Sequence, residues 1–106
     1  MRRLGLVLLV VAAALAGGVA VQRTRTEGEY RRLIEEGDTA LAQGRTYAAI
    51  EAFSGALAFR PGSMLAHLRR GEAYQQQESL DAALRDLAEA ARLDPNATQP
   101  LERLGE

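Results

Sequence analysis

The chain has 106 residues, a formal net charge of −1 and no cysteine. This length leaves room for one small domain. All thirteen basic residues are arginine, a bias typical of GC-rich bacterial genes. Residues 30 to 106 carry nine arginines against twelve acidic residues, so nothing favours nucleic acid, which needs clustered positive charge. The lack of cysteine excludes disulfides, thiolate nucleophiles and cysteine-ligated metals.

The N-terminal segment, residues 1–25, is predicted to enter a membrane. Two arginines precede eighteen residues without a polar side chain, from Leu4 to Val21. As a helix this stretch would be about 27 Å long, close to the roughly 30 Å hydrocarbon core of a bilayer. Its length favours an uncleaved anchor, and a cleavable signal peptide with a site after Ala16 or Ala20 is the alternative.

The flanks of the apolar stretch predict its orientation. Short N-terminal flanks normally stay in the cytoplasm, so we expect a single-pass protein of the bacterial inner membrane with its domain in the periplasm. Cleavage would instead release a periplasmic or secreted protein. Residues 26–29 are polar, include Gly28 and show no periodicity, so they predict a short linker between membrane and domain.

Beyond this linker, apolar and small residues recur at helical spacing in four segments. The first segment ends at Gly44, a C-terminal cap, and the second ends at Pro61. The other two segments follow Gly62, and the last ends at Pro95. The residues on the packed faces are Leu33, Ile34, Gly37, Ala40 and Leu41; Ala49, Ile50, Phe53, Ala56 and Leu57; Leu65, Leu68, Gly71 and Tyr74; and Leu80, Ala83, Leu84, Leu87, Ala90 and Ala91.

The two helix pairs repeat each other at one constant offset along the chain. The coinciding positions are Gly37 with Gly71, Ala49 with Ala83, Phe53 with Leu87, Ala56 with Ala90, and Pro61 with Pro95. This register resembles the tetratricopeptide repeat family, whose unit is one helix-turn-helix of about 34 residues. The resemblance implies an all-α fold, a right-handed solenoid of helical hairpins behind an N-terminal transmembrane or signal helix. Residues 30–61 form its first repeat and residues 62–97 its second.

The shared positions have a packing role in this interpretation. Gly37 and Gly71 lie where two helix backbones approach closely, and Phe53 and Leu87 fill the groove between hairpins. One departure from the family is Glu78, which stands where the family has a glycine between the helices.

Residues 98–106 are predicted to start a third repeat. Leu101, Leu104 and Gly105 fall two repeat offsets after Leu33, Glu36 and Gly37. We therefore expect the chain to be an incomplete portion of a longer array. A fragment from Tyr30 to Glu106 should then be marginally stable or self-associating, because few repeats sit near the lower limit of stability.

No catalytic constellation is recognisable in the sequence. His67, the only histidine, lies at a helix-packing position and is interpreted as a partly buried structural residue. One histidine without cysteine gives no persuasive metal site, and no cofactor is expected. The charged residues of the second helices are interpreted as the solvated convex surface, and they are Glu51, Arg85, Asp86, Glu89 and Arg92.

The ligand groove is assigned through the family resemblance. The positions that line it correspond here to Arg31, Ile34, Glu35, Asp38, Leu41, Ala42, Leu65, Leu68, Arg69, Glu72, Gln75 and Gln76, with Gln99, Glu102 and Arg103 in the third copy. An aliphatic floor with both signs of charge suits an extended or helical peptide. Ile34 and Asp38 stand where receptors of chaperone tails carry lysine and asparagine, so such tails are not the expected ligand.

These observations predict a non-enzymatic scaffold at the bacterial cell envelope that binds a peptide or partner protein. Two other functions are consistent with the sequence. The repeats could dock substrates for a larger enzyme, or they could form a soluble binding protein released by signal cleavage. Self-association is a further expected property.

Overall fold

The computed structural model describes residues 2–98, and within this range every regular element is helical. The helices are α1 (Arg2–Ala42), α2 (Thr46–Phe59), α3 (Met64–Gln76) and α4 (Leu80–Leu93), followed by a short 3₁₀ helix (Pro95–Thr98). The all-α prediction is confirmed. The predicted third repeat falls almost wholly on residues 99–106, outside the described range.

Two helical hairpins lie side by side. The C-terminal part of α1 packs on α2, α3 packs on α4, and α2 packs on α3. The fully buried residues of the core are small with one exception: Ala49, Phe53, Ala56, Ala66 and Ala73. Alanine faces allow helix backbones to approach closely, and the Phe53 ring fills the remaining volume.

Both glycines make close contacts, chiefly with a side chain of the second helix in the same hairpin. The prediction had placed close helix backbones there, with Phe53 and Leu87 in the groove between hairpins. A Cβ atom added to Gly37 would collide with three atoms of the Phe53 ring. A Cβ atom added to Gly71 would lie 3.0 Å from two atoms of the Leu87 side chain. The glycine of each first helix therefore makes room for the large apolar residue of the second helix.

Both first helices end in the same hydrogen-bonded motif. At the end of α1, Gly44 N–H donates to the Leu41 carbonyl (3.1 Å) and Arg45 N–H donates to the Ala40 carbonyl (2.8 Å). This Schellman arrangement requires a positive φ at the residue after the C-cap, and Gly44 has a φ of 72°. The C-terminal cap predicted at Gly44 is confirmed.

The end of α3 repeats this arrangement with a different residue. Glu78 N–H donates to the Gln75 carbonyl (3.0 Å), and Ser79 N–H donates to the Tyr74 carbonyl (2.9 Å). Glu78 therefore takes a φ of 66°, in the left-handed region that glycine prefers. The repeat places Glu78 where the turn needs a left-handed backbone. This conformation costs a non-glycine residue about 1 to 2 kcal/mol.

The polar linker expected at residues 26–29 is instead part of α1. Arg32 joins successive turns of this helix, with ion pairs of 2.6 Å to Glu29 and 2.6 Å to Glu36. The hydroxyl of Thr26 donates to the Gln22 carbonyl (2.8 Å) one turn earlier. Gly28 has nothing packed against it, and its modest helical penalty is offset by these contacts.

Helix α1 contains the apolar stretch. Among the described residues, it is the helix long and apolar enough to cross a membrane, and its most apolar 18-residue window has no buried residue. A signal sequence near the N-terminus has the same properties. The structure thus shows a single 41-residue helix running from the apolar stretch into the first hairpin.

Leu80 and Leu84 were expected on the packed face of α4, but they are 62% and 60% exposed. Ile50, which matches Leu84 in the repeat register, packs against the core. The difference arises because α3 lies against α2, whereas no further α-helix in the described part of the chain packs on α4.

Candidate interaction surface

The predicted groove residues of the first two repeats lie on α1 and α3, which share one face of the two hairpins. Those of the third copy, Gln99, Glu102 and Arg103, lie outside the described residues. An ion pair joins these helices, because Arg69 Nε on α3 lies 3.3 Å from Asp38 Oδ1 on α1. Arg69 Nη1 also lies 3.1 Å from Glu72 Oε2 within α3. The Arg69 Nε atom is buried and its contact with Asp38 lacks hydrogen-bond geometry. The carboxylates of Asp38 and Glu72 can therefore still accept hydrogen bonds from a ligand.

Most of the predicted groove residues are available at the surface. The exposed ones are Arg31, Glu35, Asp38, Ala42, Leu65, Gln75 and Gln76, and the half-buried ones are Leu41, Leu68, Arg69 and Glu72. Ile34 differs, because it is buried among Tyr30, Phe53 and the core alanines. Its apolar surface stabilises the first hairpin and does not form the floor of a groove.

One predicted groove residue also bridges the hairpins. The Thr46 hydroxyl at the start of α2 donates to Gln76 Oε1 at the end of α3 (3.0 Å). Together with the pair between Asp38 and Arg69, this contact joins the two hairpins at the surface. Both contacts are made by partly exposed side chains, so each contributes less than about 1 kcal/mol to stability.

The charge pattern of this face suits recognition of a polar peptide. Glu35, Asp38 and Glu72 provide three carboxylates, and Arg31 and Arg69 provide two guanidinium groups. Gln75 and Gln76 add amide donors and acceptors beside half-buried leucines. In the described residues, no three His, Asp or Glu side chains converge to hold a metal ion.

The chain matches no known protein family, no curated protein and no solved structure. The functional interpretation therefore depends on the repeat register and on the side-chain geometry.

A buried ion pair inside the second hairpin was not anticipated. Asp86 was assigned to the solvated convex surface, but it is only 4% exposed. It accepts two hydrogen bonds from Arg70, with distances of 2.7 Å from Nε and 2.8 Å from Nη2. The hydrogen bonds with Asp86 raise the pKa of Arg70, so this guanidinium stays charged.

Further hydrogen bonds join this ion pair to the rest of the array. Arg70 Nη1 donates to Ser54 Oγ on α2 (3.2 Å), which connects the two hairpins. The His67 ring lies 3.1 Å from Asp86 Oδ1 through Nδ1 and 3.2 Å from the Pro61 carbonyl through Nε2. The predicted partial burial of His67 is confirmed, and both ring nitrogens have a partner.

The sequence contained a signal for the buried position of Asp86. Ala83, Leu87 and Ala90 form the buried stripe of α4, and Asp86 falls on the same stripe at helical spacing. A charge on a buried stripe requires a partner of opposite charge. The sequence contains two candidates for that partner on α3, His67 and Arg70, which are three positions apart.

Another cleft lies elsewhere on the first hairpin. It has a volume of about 730 Å³ between α1 and α2, and Glu35 is the predicted groove residue that borders it. Its floor is apolar and includes Leu33, which lies 3.2 Å from a Cβ position built on Gly55. Glu36, Arg45 and Glu51 are among the charged residues at its edges. This cleft was not predicted, because the family resemblance directs attention to the α1–α3 face.

Proposed function

We propose that this protein is a membrane-anchored, tetratricopeptide-type scaffold that binds a peptide or partner protein across its α1–α3 face. The two hairpins would form the right-handed array that the repeat register indicates. The observation that carries the proposal is the joint surface of α1 and α3, where Asp38 and Arg69 meet across the hairpins. Flanking carboxylates, amides and half-buried leucines suit a peptide laid across both helices.

The anchor is the second part of the proposal. The apolar part of α1 has the length of a membrane span and no buried residues, so water is an unfavourable environment for it. The basic N-terminal flank favours a cytoplasmic N-terminus, which would place the hairpins in the periplasm. Protease added to intact spheroplasts should therefore degrade the hairpins.

Retention of the anchor is tested by washing membranes with carbonate. The intact chain should stay in the membrane pellet and keep its N-terminal sequence. A soluble product whose N-terminus lies near Gly17 or Val21 would show that the segment is a cleaved signal, and the protein would then be a secreted binding protein.

The binding face is tested by site-specific photocrosslinking in the native membrane. A photoreactive residue at Gln75 reports on the α1–α3 face, and the same residue at Arg85 on α4 is the matched control. We expect a discrete crosslinked protein from position 75 and none from position 85. Arg69→Glu, which reverses the charge beside Asp38 and Glu72, should abolish the position 75 product. Equal crosslinking from both positions would contradict the proposal.

A further inference from the structure

Phe59 and Arg60, at the end of α2, lie beside the boundary between the apolar and polar parts of α1. The two residues and α1 enclose a cleft of about 380 Å³. The α1 residues that line it are Val19, Gln22, Arg23, Thr26 and Glu27. Phe59 is 42% exposed although the core of the first hairpin begins one turn away. An aromatic ring is thus presented to the surroundings at the level where α1 changes from apolar to polar.

The turn between α2 and α3 is held against α1. Arg60 Nη2 pairs with Glu27 Oε1 at 2.8 Å, and the Arg60 guanidinium lies 4.6 Å from the centroid of the Tyr30 ring. The Tyr30 hydroxyl lies 2.6 Å from Ser63 Oγ at the start of α3. Because Tyr30 is itself buried, these contacts fix the height of the turn along α1.

The cleft beside this turn reaches down to the expected surface of a bilayer. Val19 lies just before Val21, the last residue of the apolar stretch, and the two are about 3 Å apart along a helix axis. A bilayer adds roughly 5 to 7 Å of polar headgroup layer on each side of its hydrocarbon core. The cleft runs along α1 from Val19 to Glu27, about 12 Å. It therefore begins at the edge of the hydrocarbon core and crosses the headgroup layer when the apolar stretch spans the membrane.

The charges around the cleft suit phospholipid headgroups. Arg23 and Arg60 line the cleft with a single acidic residue, Glu27. Arg25 adds a positive charge on the same turn of α1. Within residues 2–98, neither Arg23 nor Arg25 forms an ion pair with an acidic side chain. The excess of positive charge favours anionic headgroups over zwitterionic ones.

We propose that the turn between α2 and α3 is a second membrane contact, in which Phe59 enters the headgroup layer and Arg23 and Arg25 attract anionic phospholipids. The inference depends on the anchor role of α1 proposed above. Because α1 is a single helix through this region, contact at Phe59 also selects a tilt of α1 toward the α2 side. The membrane would thus orient the α1–α3 binding face.

The absence of tryptophan from the chain allows single reporters of depth. The full chain is reconstituted in phosphatidylcholine vesicles containing a minor fraction of phosphatidylglycerol. Three variants are compared: Phe59→Trp at the turn, Tyr47→Trp at the distant end of α2, and Val11→Trp within the apolar stretch. Lipids brominated close to the headgroup should quench the fluorescence of F59W and blue-shift its emission, and they should leave Y47W unchanged.

The V11W variant separates failure of this inference from failure of the anchor. Strong quenching of V11W by deeply brominated lipids, with F59W unquenched, would overturn the second contact and leave the anchor intact. If V11W is also unquenched, the apolar stretch is not inserted and both proposals fail.

The role of the arginines is tested in the same system. Brominated phosphatidylglycerol should quench F59W more strongly than brominated phosphatidylcholine at the same fraction, because anionic lipid accumulates around the turn. Adding Arg23→Gln and Arg25→Gln should remove this difference while preserving the helical circular dichroism. Equal quenching by the two lipids in the F59W chain would overturn the electrostatic part of the inference.

Discussion

Asp86 is the residue whose role depends most on its partners. It is buried against Arg70, whose side chain is 24% exposed. Removing one member of a buried ion pair leaves the other charged and poorly solvated, at a cost of about 3 to 5 kcal/mol. Because Arg70 keeps some contact with water, we expect Asp86→Ala to lower the free energy of unfolding by about 3 kcal/mol, the low end of that range, as measured by urea denaturation.

Asp81→Ala is the matched control for this substitution. Asp81 lies in the first turn of the same helix and is exposed, so its loss should cost less than about 1 kcal/mol through the helix dipole. Equal effects of the two substitutions would contradict the structural role assigned to Asp86.

Glu78 carries backbone strain that a glycine would relieve. With a φ of 66°, Glu78→Gly removes a left-handed penalty of about 1 to 2 kcal/mol and adds a glycine entropy cost of about 0.5 to 1 kcal/mol. We expect a net stabilisation of about 0.5 to 1 kcal/mol, visible as a higher melting temperature. Gly44→Ala, at the equivalent position of the first hairpin, should destabilise by a similar amount. A lower melting temperature for Glu78→Gly would disprove the strain.

The helix pairs differ in how tightly their glycines pack. At Gly37 a methyl group would overlap three atoms of the Phe53 ring, which is fully buried. At Gly71 it meets the end of a flexible leucine. Overpacking costs about 1 to 3 kcal/mol, whereas alanine gains about 1 kcal/mol of helix propensity over glycine. Chemical denaturation should therefore show that Gly37→Ala destabilises clearly and that Gly71→Ala is near neutral; the reverse order would contradict this packing.

The helix boundaries of the two hairpins could be predicted because strong local signals mark them. Gly44 and Pro61 end helices for steric reasons, and the constant offset between the copies transfers that assignment to the second pair. The helical linker was missed because Gly28 and the absence of apolar periodicity outweighed the ion pairs of Arg32. The burial of Asp86 was missed because the charged residues of the second helices were treated as one class.

The groove was predicted only in outline. Family positions identified a shared α1–α3 face, but they could not show that the Ile34 side chain is buried in the core. They also could not show the cleft between α1 and α2, because it depends on which outer faces the described helices leave uncovered. Such features depend on tertiary packing, which a pattern of residue types does not encode.

On the scale of the whole molecule, α1 connects the apolar stretch to the hairpins as one continuous helix. Spin labels on cysteines at positions 23 and 36 span the residues expected as a linker, and the chain has no native cysteine to interfere. A continuous helix predicts a Cα separation of about 20 Å. Double electron–electron resonance should give a distance distribution as narrow as that of a 31/42 pair, which lies within the hairpin part of α1. A broad distribution for the 23/36 pair alone would show a flexible linker.

The outer face of α4 determines how the hairpin region behaves without its apolar stretch. Leu80 and Leu84 lie one turn apart and are both largely exposed. Burying a leucine contributes roughly 1.5 to 3 kcal/mol, so a fragment of residues 26–106, which keeps the pair between Glu27 and Arg60, should self-associate through this face. Light scattering should show a mass that rises with concentration, and Leu80→Gln with Leu84→Gln should return it to that of a monomer without lowering the denaturation midpoint. Tyr47→Gln is the control, because Tyr47 is 78% exposed at the start of α2 and should leave self-association unchanged. A parent fragment that stays monomeric at all concentrations would show that Leu80 and Leu84 do not mediate self-association.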